Sequence, residues 1–211
     1  MAFTYPVTLN LQGTFCTVVG GGQVALRKIQ ALLAEGAEVT VISPAVIPEL
    51  EAMQEQFVWM KSAYKEGQLE GSFLVIAATD DRAVNSQVAQ WCQENQVLVN
   101  VADSREESNF TVNAAVRQGD LLIGISTNGI SPAVSRTIRQ ELEGQFGPEY
   151  AVMLEVLAEA RAEAMTAITD EAKRREFLQS VATMDLPVLL RQETKEDVQK
   201  RVKSCLSSYL G

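Results

Sequence analysis

The stretch Val18-Val19-Gly20-Gly21-Gly22-Gln23-Val24-Ala25-Leu26-Arg27-Lys28 constrains this chain more than any other. It follows an apolar run, Phe15 to Val19, that predicts a buried strand, and it opens a helical pattern running to about Glu35. Gly20, Gly22 and Ala25 satisfy G-x-G-x-x-G/A in the strand–turn–helix setting that gives this pattern its meaning. In such a turn Gly20 permits the tight bend, Gly22 lets the backbone approach a pyrophosphate, and Ala25 lets the helix pack close to the strand. The start of that helix then offers N–H groups and about half an elementary charge of dipole to an anion. Gly20, Gly22, Gln23, Val24 and Ala25 are therefore the first cofactor-binding candidates.

The rest of the chain alternates as a parallel sheet wound on both faces requires. Val24, Ile29, Leu32 and Leu33 form the inner stripe of the first helix, and Gly36 stops it. Glu38 to Ser43 is the next strand, cut off by Pro44. Pro48 starts a short helix over 48–56, and Phe57–Met60 is a weak third strand. Phe73–Ala78 is continuously apolar, as a strand covered on both faces should be. Thr79-Asp80-Asp81 caps a helix over about 82–94, and Val97–Val101 is the fifth strand. Polar residues 104–109 read as turn. Phe110–Val116 and Leu121–Ser126 flank Gln118-Gly119-Asp120 and predict a hairpin. Ser131-Pro132 starts a helix to about Glu143, ending near Gly144. Beyond Gly147-Pro148 the pattern is all-helical over 149–166, 170–183 and 193–209, with Pro187 separating the last two.

The 211 residues are 46% hydrophobic, which suffices for one α/β domain plus an appendage. No run is long and apolar enough for a membrane span. Met1 to Asn10 lacks a charged start and an apolar signal core, so export is not expected. The three cysteines, Cys16, Cys92 and Cys205, lack the spacing of a zinc site or a disulfide framework. A reduced cytoplasm fits this usage. The net charge of −9 sits almost wholly in residues 1–150, with 9 basic and 17 acidic side chains, and no basic patch suits a nucleic acid. The chain has no histidine, which removes the commonest general base and metal ligand.

Carboxylates therefore lead the search for a base. Asp103 falls just past the fifth strand, at the carboxyl edge where open α/β sheets bind ligands. Thr79 and Asp80 occupy a similar edge after the fourth strand, where plain helix capping also explains them. After the second strand an NAD site often has an acid for the ribose; this chain has Ser43-Pro44-Ala45. No arginine beside Ser43 welcomes a 2′-phosphate, which leans towards NAD. Ser126, Thr127, Asn128 and Ser131 supply hydroxyls, an amide and a helix start suited to an anionic group. Arg136 and Arg139 follow on that helix, and Arg105 and Arg117 lie nearby in sequence. Solvated helix charges are the plain alternative for each arginine.

These residues together carry a specific likeness. Tyr5-Pro6-Val7, the glycine motif, Val39–Pro44, Ala77–Asp80, Asn100–Asp103, Asn109-Phe110 and Ile125–Pro132 occur in an order that resembles the precorrin-2 dehydrogenase family, the first half of siroheme synthases. The resemblance implies a Rossmann domain over 1–109, a small α+β dimerisation and substrate region over 110–147, and a helical domain over 148–211. It implies an intertwined homodimer, and a stand-alone form because no methyltransferase domain follows. It further implies NAD-dependent oxidation of precorrin-2 to sirohydrochlorin, with ferrochelatase activity in some members. With no histidine and scattered cysteines, no permanently bound metal centre is expected. Asp103 matches the family's proposed key acid, and Gly22–Val24 and Ser43–Ala45 match its cofactor contacts. Ser126, Thr127, Asn128, Ser131, Arg105, Arg136 and Arg139 are the substrate-side candidates. Asn113 stands where proline is expected, and Asn128 where glycine is common. Two readings compete: an NAD(P) oxidoreductase of another small acid, and a redox-sensing module without turnover. The first leaves Ile125–Pro132 unexplained.

Overall fold

The structure, a computed structural model, describes residues 4–210; Met1–Phe3, part of the segment read above for a leader, lie outside the described residues. The chain divides into two compact units, one ending at Val112 and the other starting at Asn113.

In the first unit, β1 (Phe15–Val19), β2 (Glu38–Ile42), β3 (Val58–Met60), β4 (Leu74–Ala77) and β5 (Leu98–Val101) form one parallel sheet in the order β3-β2-β1-β4-β5. The chain winds one way from β1 through α1 (Gln23–Ala34) to β2, and the other way from β4 through α3 (Arg82–Glu94) to β5. The strand order therefore reverses between β1 and β4, the place where such sheets open a ligand crevice. Alternating strand residues feed two cores. Cys16, Val18, Val39, Val41, Leu74 and Ile76 pack with Ala25, Leu26, Ile29 and Leu32 of α1. Val19, Ile42, Val75, Ala77, Val99 and Val101 pack with Val88, Ala89 and Cys92 of α3. A sheet buried on both faces needs this two-sided apolar supply, which explains its nearly unbroken apolar strands.

The helix expected over 48–56 is broken. It divides into α2 (Pro48–Glu51) and a single 3₁₀ turn at Gln54–Gln56. Within these two pieces only Leu50 is fully buried, too little apolar face to sustain a longer helix. Residues 104–109 are more than a turn. They fold back along the outer edge of β5, where Asn109 Oδ1 accepts from Val99 N at 2.7 Å and Asn109 Nδ2 donates to Val97 O at 2.8 Å. Ser108 Oγ accepts from Val101 N at 2.9 Å. Side chains thus stand in for a missing neighbour strand and protect the sheet edge.

The second unit opens with an antiparallel hairpin, β6 (Ala114–Gln118) and β7 (Leu121–Ile125), which begins four residues later than the apolar run from Phe110 suggests. Gly119 turns it at φ +57°. Helix α4 (Pro132–Gln145) starts with Ser131 Oγ accepting from Val134 N and Pro132 at its first position. It ends at Gln145, within a residue of the end expected near Gly144. Helices α5 (Glu149–Ala167), α6 (Glu171–Ala182), α7 (Leu186–Leu190) and α8 (Lys195–Ser207) enclose Val156, Ala160, Phe177, Val181, Val198 and Val202. Helix α7 was not expected; Pro187, read as a separator, sits in its first turn, where a missing N–H is harmless. Lys195 and Lys203 of α8 pair with Glu155, Glu159 and Glu163 of α5, four residues apart on one face. Among the described residues no helix is long and apolar enough to cross a membrane.

Candidate cofactor and active site

Strand register aligns one edge of the first unit. Met60, Ile42, Val19, Ala77 and Val101 form a single row across the sheet. One or two residues past this row stand Ser43, Gly20, Ala78 and Asp103. The backbone ladder continues just beyond it, with Gly20 N donating to Ile42 O at 2.9 Å and Ala78 N to Val19 O at 2.8 Å. The cofactor candidates and Asp103 therefore share one carboxyl edge.

At the glycine turn the three glycines do different work. Gly20 has φ +127°, and a Cβ there would collide with the carbonyl of Ala78. Gly22 caps α1 in extended conformation, and a Cβ there would meet nothing within 4 Å. Gly22, Gln23 and Val24 are exposed, whereas Ala25 is buried against the sheet. Among the described residues no side chain caps α1, in contrast to α3, where Asp81 accepts from Ala83 N and Val84 N. Its first N–H groups have no partner within the helix and, among the described residues, no capping oxygen. This open, uncapped start fits a pyrophosphate. The Gln23 side chain donates to Glu49 Oε1 at 3.2 Å, so its backbone N–H is the part available to a ligand. Half-burial and the neighbouring Arg27 push the Lys28 ammonium below its usual range.

Gly21, which the glycine pattern leaves free, is constrained from outside. A Cβ on it would strike the Ala45 carbonyl and lie 2.8 Å from Ser43 Oγ. The loop after β2 rests on it, with Ile47 N donating to Gly21 O at 2.9 Å. Ser43 is 7% exposed and its hydroxyl donates to Ala45 O at 2.6 Å, while Trp59 Nε1 donates to Ser43 O at 3.0 Å. Ser43 thus shapes the loop, and Pro44 and Ala45 are its exposed part.

The first turn of α3 ties the β4 and β5 ends together. Thr79 Oγ1 donates to Asn85 Oδ1 at 2.8 Å, and Thr79 N donates to the same oxygen at 3.2 Å. Asn85 Nδ2 donates to Thr79 O at 3.0 Å and to Asp103 Oδ1 at 3.3 Å. Arg82 Nη1 lies 3.7 Å from the same Asp103 oxygen and also pairs with Glu107. Hydrogen bonds from Ser86, then from Arg82 and Ser104, hold the Glu107 carboxyl below the usual range against the opposing effect of desolvation. Asp80 is exposed, and Asp103 is 54% exposed at its side chain. Asn85, Arg82 and Glu107 were missed by sequence reasoning. Asn85 follows Asp81 by one helical turn, a spacing that only the fold makes informative.

Arg105 is exposed on the segment after β5. The other substrate-side candidates belong to the second unit, in the segment before α4 and on α4 itself. Asn128 adopts φ +53°, with its N–H donating to Ser126 Oγ at 3.1 Å. Thr127 Oγ1 accepts from Ser131 N at 3.3 Å and lies 3.0 Å from Ser135 Oγ. Arg139 pairs with Glu143 at 2.5 Å, and Arg136 is exposed. Two thiols are unsuited to chemistry: burial pushes Cys16 up to about 11 and Cys92 up to about 12.

Comparison with known proteins adds the following. Residues 7–114 match the family described as putative NAD(P)-binding, and residues 118–145 match the sirohaem biosynthesis protein central family. A siroheme synthase of Photobacterium profundum is 34% identical over 178 residues, covering 83% of this chain and 38% of its own length. Siroheme synthase 1 of Serratia proteamaculans is 30% identical over 206 residues, covering 97% of this chain and 43% of its own. The chain thus spans about two-fifths of the length of these curated relatives. A solved structure described as SirC, precorrin-2 dehydrogenase, superposes with a TM-score of 0.79 at 28% identity, covering 95% of this chain and all of that one.

Proposed function

Because this chain belongs to the NAD(P)-binding family that its residues 7–114 match, and continues into the sirohaem-biosynthesis central region, we propose that it is an NAD-dependent dehydrogenase that oxidises precorrin-2 to sirohydrochlorin. The observation that carries this reading is the shared carboxyl edge: the uncapped start of α1 and the Asp103 carboxylate stand past one aligned row of strand ends. The full-length likeness to SirC supports it.

Bound NAD would supply the hydride acceptor. The chain's own residues do the rest. The backbone from Gly22 to Ala25 holds the pyrophosphate, with Gly22 leaving it room. The Ser43–Ala45 loop, braced by Trp59, borders the adenosine side, and Thr79 and Asp80 border the cofactor from β4. Asp103 takes the proton that accompanies hydride loss, since the chain offers no imidazole. Ser126, Thr127, Asn128, Ser131, Arg105, Arg136 and Arg139 serve the carboxylates of the tetrapyrrole. The working parts are then residues 1–109 for cofactor, 110–147 for substrate and dimerisation, and 148–211 for the helical domain. A cytoplasmic location goes with this chemistry.

Incubation with precorrin-2 and NAD should yield the absorbance of sirohydrochlorin; absence of product from folded protein overturns the reading. A second cuvette with sirohydrochlorin and Fe(II) or Co(II) decides chelation. Gly22→Asp should weaken NAD binding at least about tenfold by setting an anion against the pyrophosphate. It should also fold normally, because nothing crowds that Cβ. Unchanged NAD affinity would remove Gly22 from the cradle.

An intertwined homodimer belongs to the same reading. Ile130 is 83% exposed, Val134 and Leu122 are also exposed, and α4 buries only Ser135 within one chain. Such apolar exposure suits a face covered by a second copy. Sedimentation should give twice the mass of one chain, and a monomer at micromolar concentration would contradict it.

A further inference from the structure

Asn85 is 1% exposed, yet it carries a full set of amide hydrogen bonds. Burying a primary amide is costly unless both its oxygen and its nitrogen are satisfied. Three of its four bonds go to Thr79 and lock the amide in one orientation. That orientation aims the remaining N–H of Nδ2 at a single atom, Oδ1 of Asp103. Arg82, three residues earlier on the same helix, approaches that same oxygen. Among the described residues Oδ2 has no partner. The carboxylate is therefore held by one oxygen and open at the other.

We propose that Asn85, assisted by Arg82, is the positioning residue for Asp103: it tethers Oδ1 to the first turn of α3 and leaves Oδ2 as the atom that accepts the substrate proton. This rests on the reading of Asp103 as the base. In the reaction, precorrin-2 gives up one hydride, with its electron pair, to bound NAD and one proton to Oδ2; the product has two fewer hydrogens and the charge balances. A base fixed at one oxygen keeps its other lone pairs on a constant line, which matters because a 1 Å misplacement can cost on the order of a hundredfold in rate. Asn85 touches neither cofactor nor substrate in this scheme and acts only through Asp103.

The test uses the full chain and four proteins: wild type, Asn85→Ala, Asp103→Asn and the double variant. Asn85→Ala should lower kcat about 10- to 100-fold, with KM for precorrin-2 and Kd for NAD within about threefold. In the Asp103→Asn background the same change should cost nothing further. A folded Asn85→Ala with normal kcat overturns the proposal. So does a parallel loss of kcat and NAD affinity, which would mark a structural loop residue, and so does an additive loss in the double variant. If Asn85→Ala fails to fold, Arg82→Gln decides, because that side chain is half-exposed and its removal spares the buried amide. It should lower kcat several-fold with NAD affinity unchanged; unchanged kcat overturns the tether. High turnover by Asp103→Asn would instead overturn the base itself, a separate failure.

Discussion

Asp103→Asn should reduce sirohydrochlorin formation by about 10²- to 10⁴-fold while NAD still binds. The size of the effect follows from what the substitution leaves in place. The side chain keeps its shape, and its oxygen can still accept from Asn85 Nδ2 and sit near Arg82. Arg82 keeps its pairing with Glu107, so no buried charge is stranded. What disappears is the lone pair at the open position, where an amide NH₂ cannot take a proton. The chain has no histidine to step in, and the buried thiols Cys16 and Cys92 are held protonated. Loss of the general base then costs about 3–5 kcal/mol of barrier, the range such residues supply. Initial rates from product absorbance, set beside NAD affinity from a titration, read the two quantities separately. Near-normal turnover would remove Asp103 from the mechanism. Lost NAD affinity would assign it to cofactor binding instead.

The parts of this site that were legible in the sequence are those whose constraints are local. Gly22 opens its own helix and Gly20 bends its own turn at φ +127°, so their spacing records them even though Gly20 is also pressed by the Ala78 carbonyl just past β4. Asp81 and Ser131-Pro132 announce helix starts because a cap and its N–H partners lie within three residues. The five strands follow from apolar runs of the right length. What stayed hidden is tertiary. Gly21 is constrained by Ser43 and Ala45, a loop more than twenty residues away, so its own neighbourhood gives no sign. Asn85 lies between Val84 and Ser86 with nothing local to mark it, and its bonding partners Thr79 and Asp103 are 6 and 18 residues away. Ser108 and Asn109 look like turn residues, yet their side chains take over the bonding of an absent strand. Helix α7 was hidden for another reason: Pro187 reads as a break between helices, but a proline is harmless in a first turn.

Gly20→Ala should damage the fold itself, in contrast to changes at its neighbour two residues on. Two costs add at Gly20. Its φ of +127° is a region that L-residues rarely enter, at a cost of about 1–3 kcal/mol. Its Cβ would also press on the Ala78 carbonyl, and neither partner can yield. Gly20 N is bonded to Ile42 O, and Ala78 N to Val19 O, so the colliding backbones are pinned by the ladder on both sides of β1. Relief would require β1 and β4 to part at the edge where they now align. A total above about 4 kcal/mol is expected, a large share of the 5–15 kcal/mol that holds a domain together. The first unit should then melt roughly 15 °C or more below the wild type, or fail to accumulate as soluble protein. Gly22→Ala is the matched control. It adds the same methyl group, at φ −94° and into open space, and costs no more than about 1 kcal/mol as a poorer helix cap. Wild-type melting by Gly20→Ala would mean that the β1–α1 turn can be built another way. In that case the close approach of β1 to Ala78, and with it the shared edge that brings cofactor and base together, would not be fixed by Gly20.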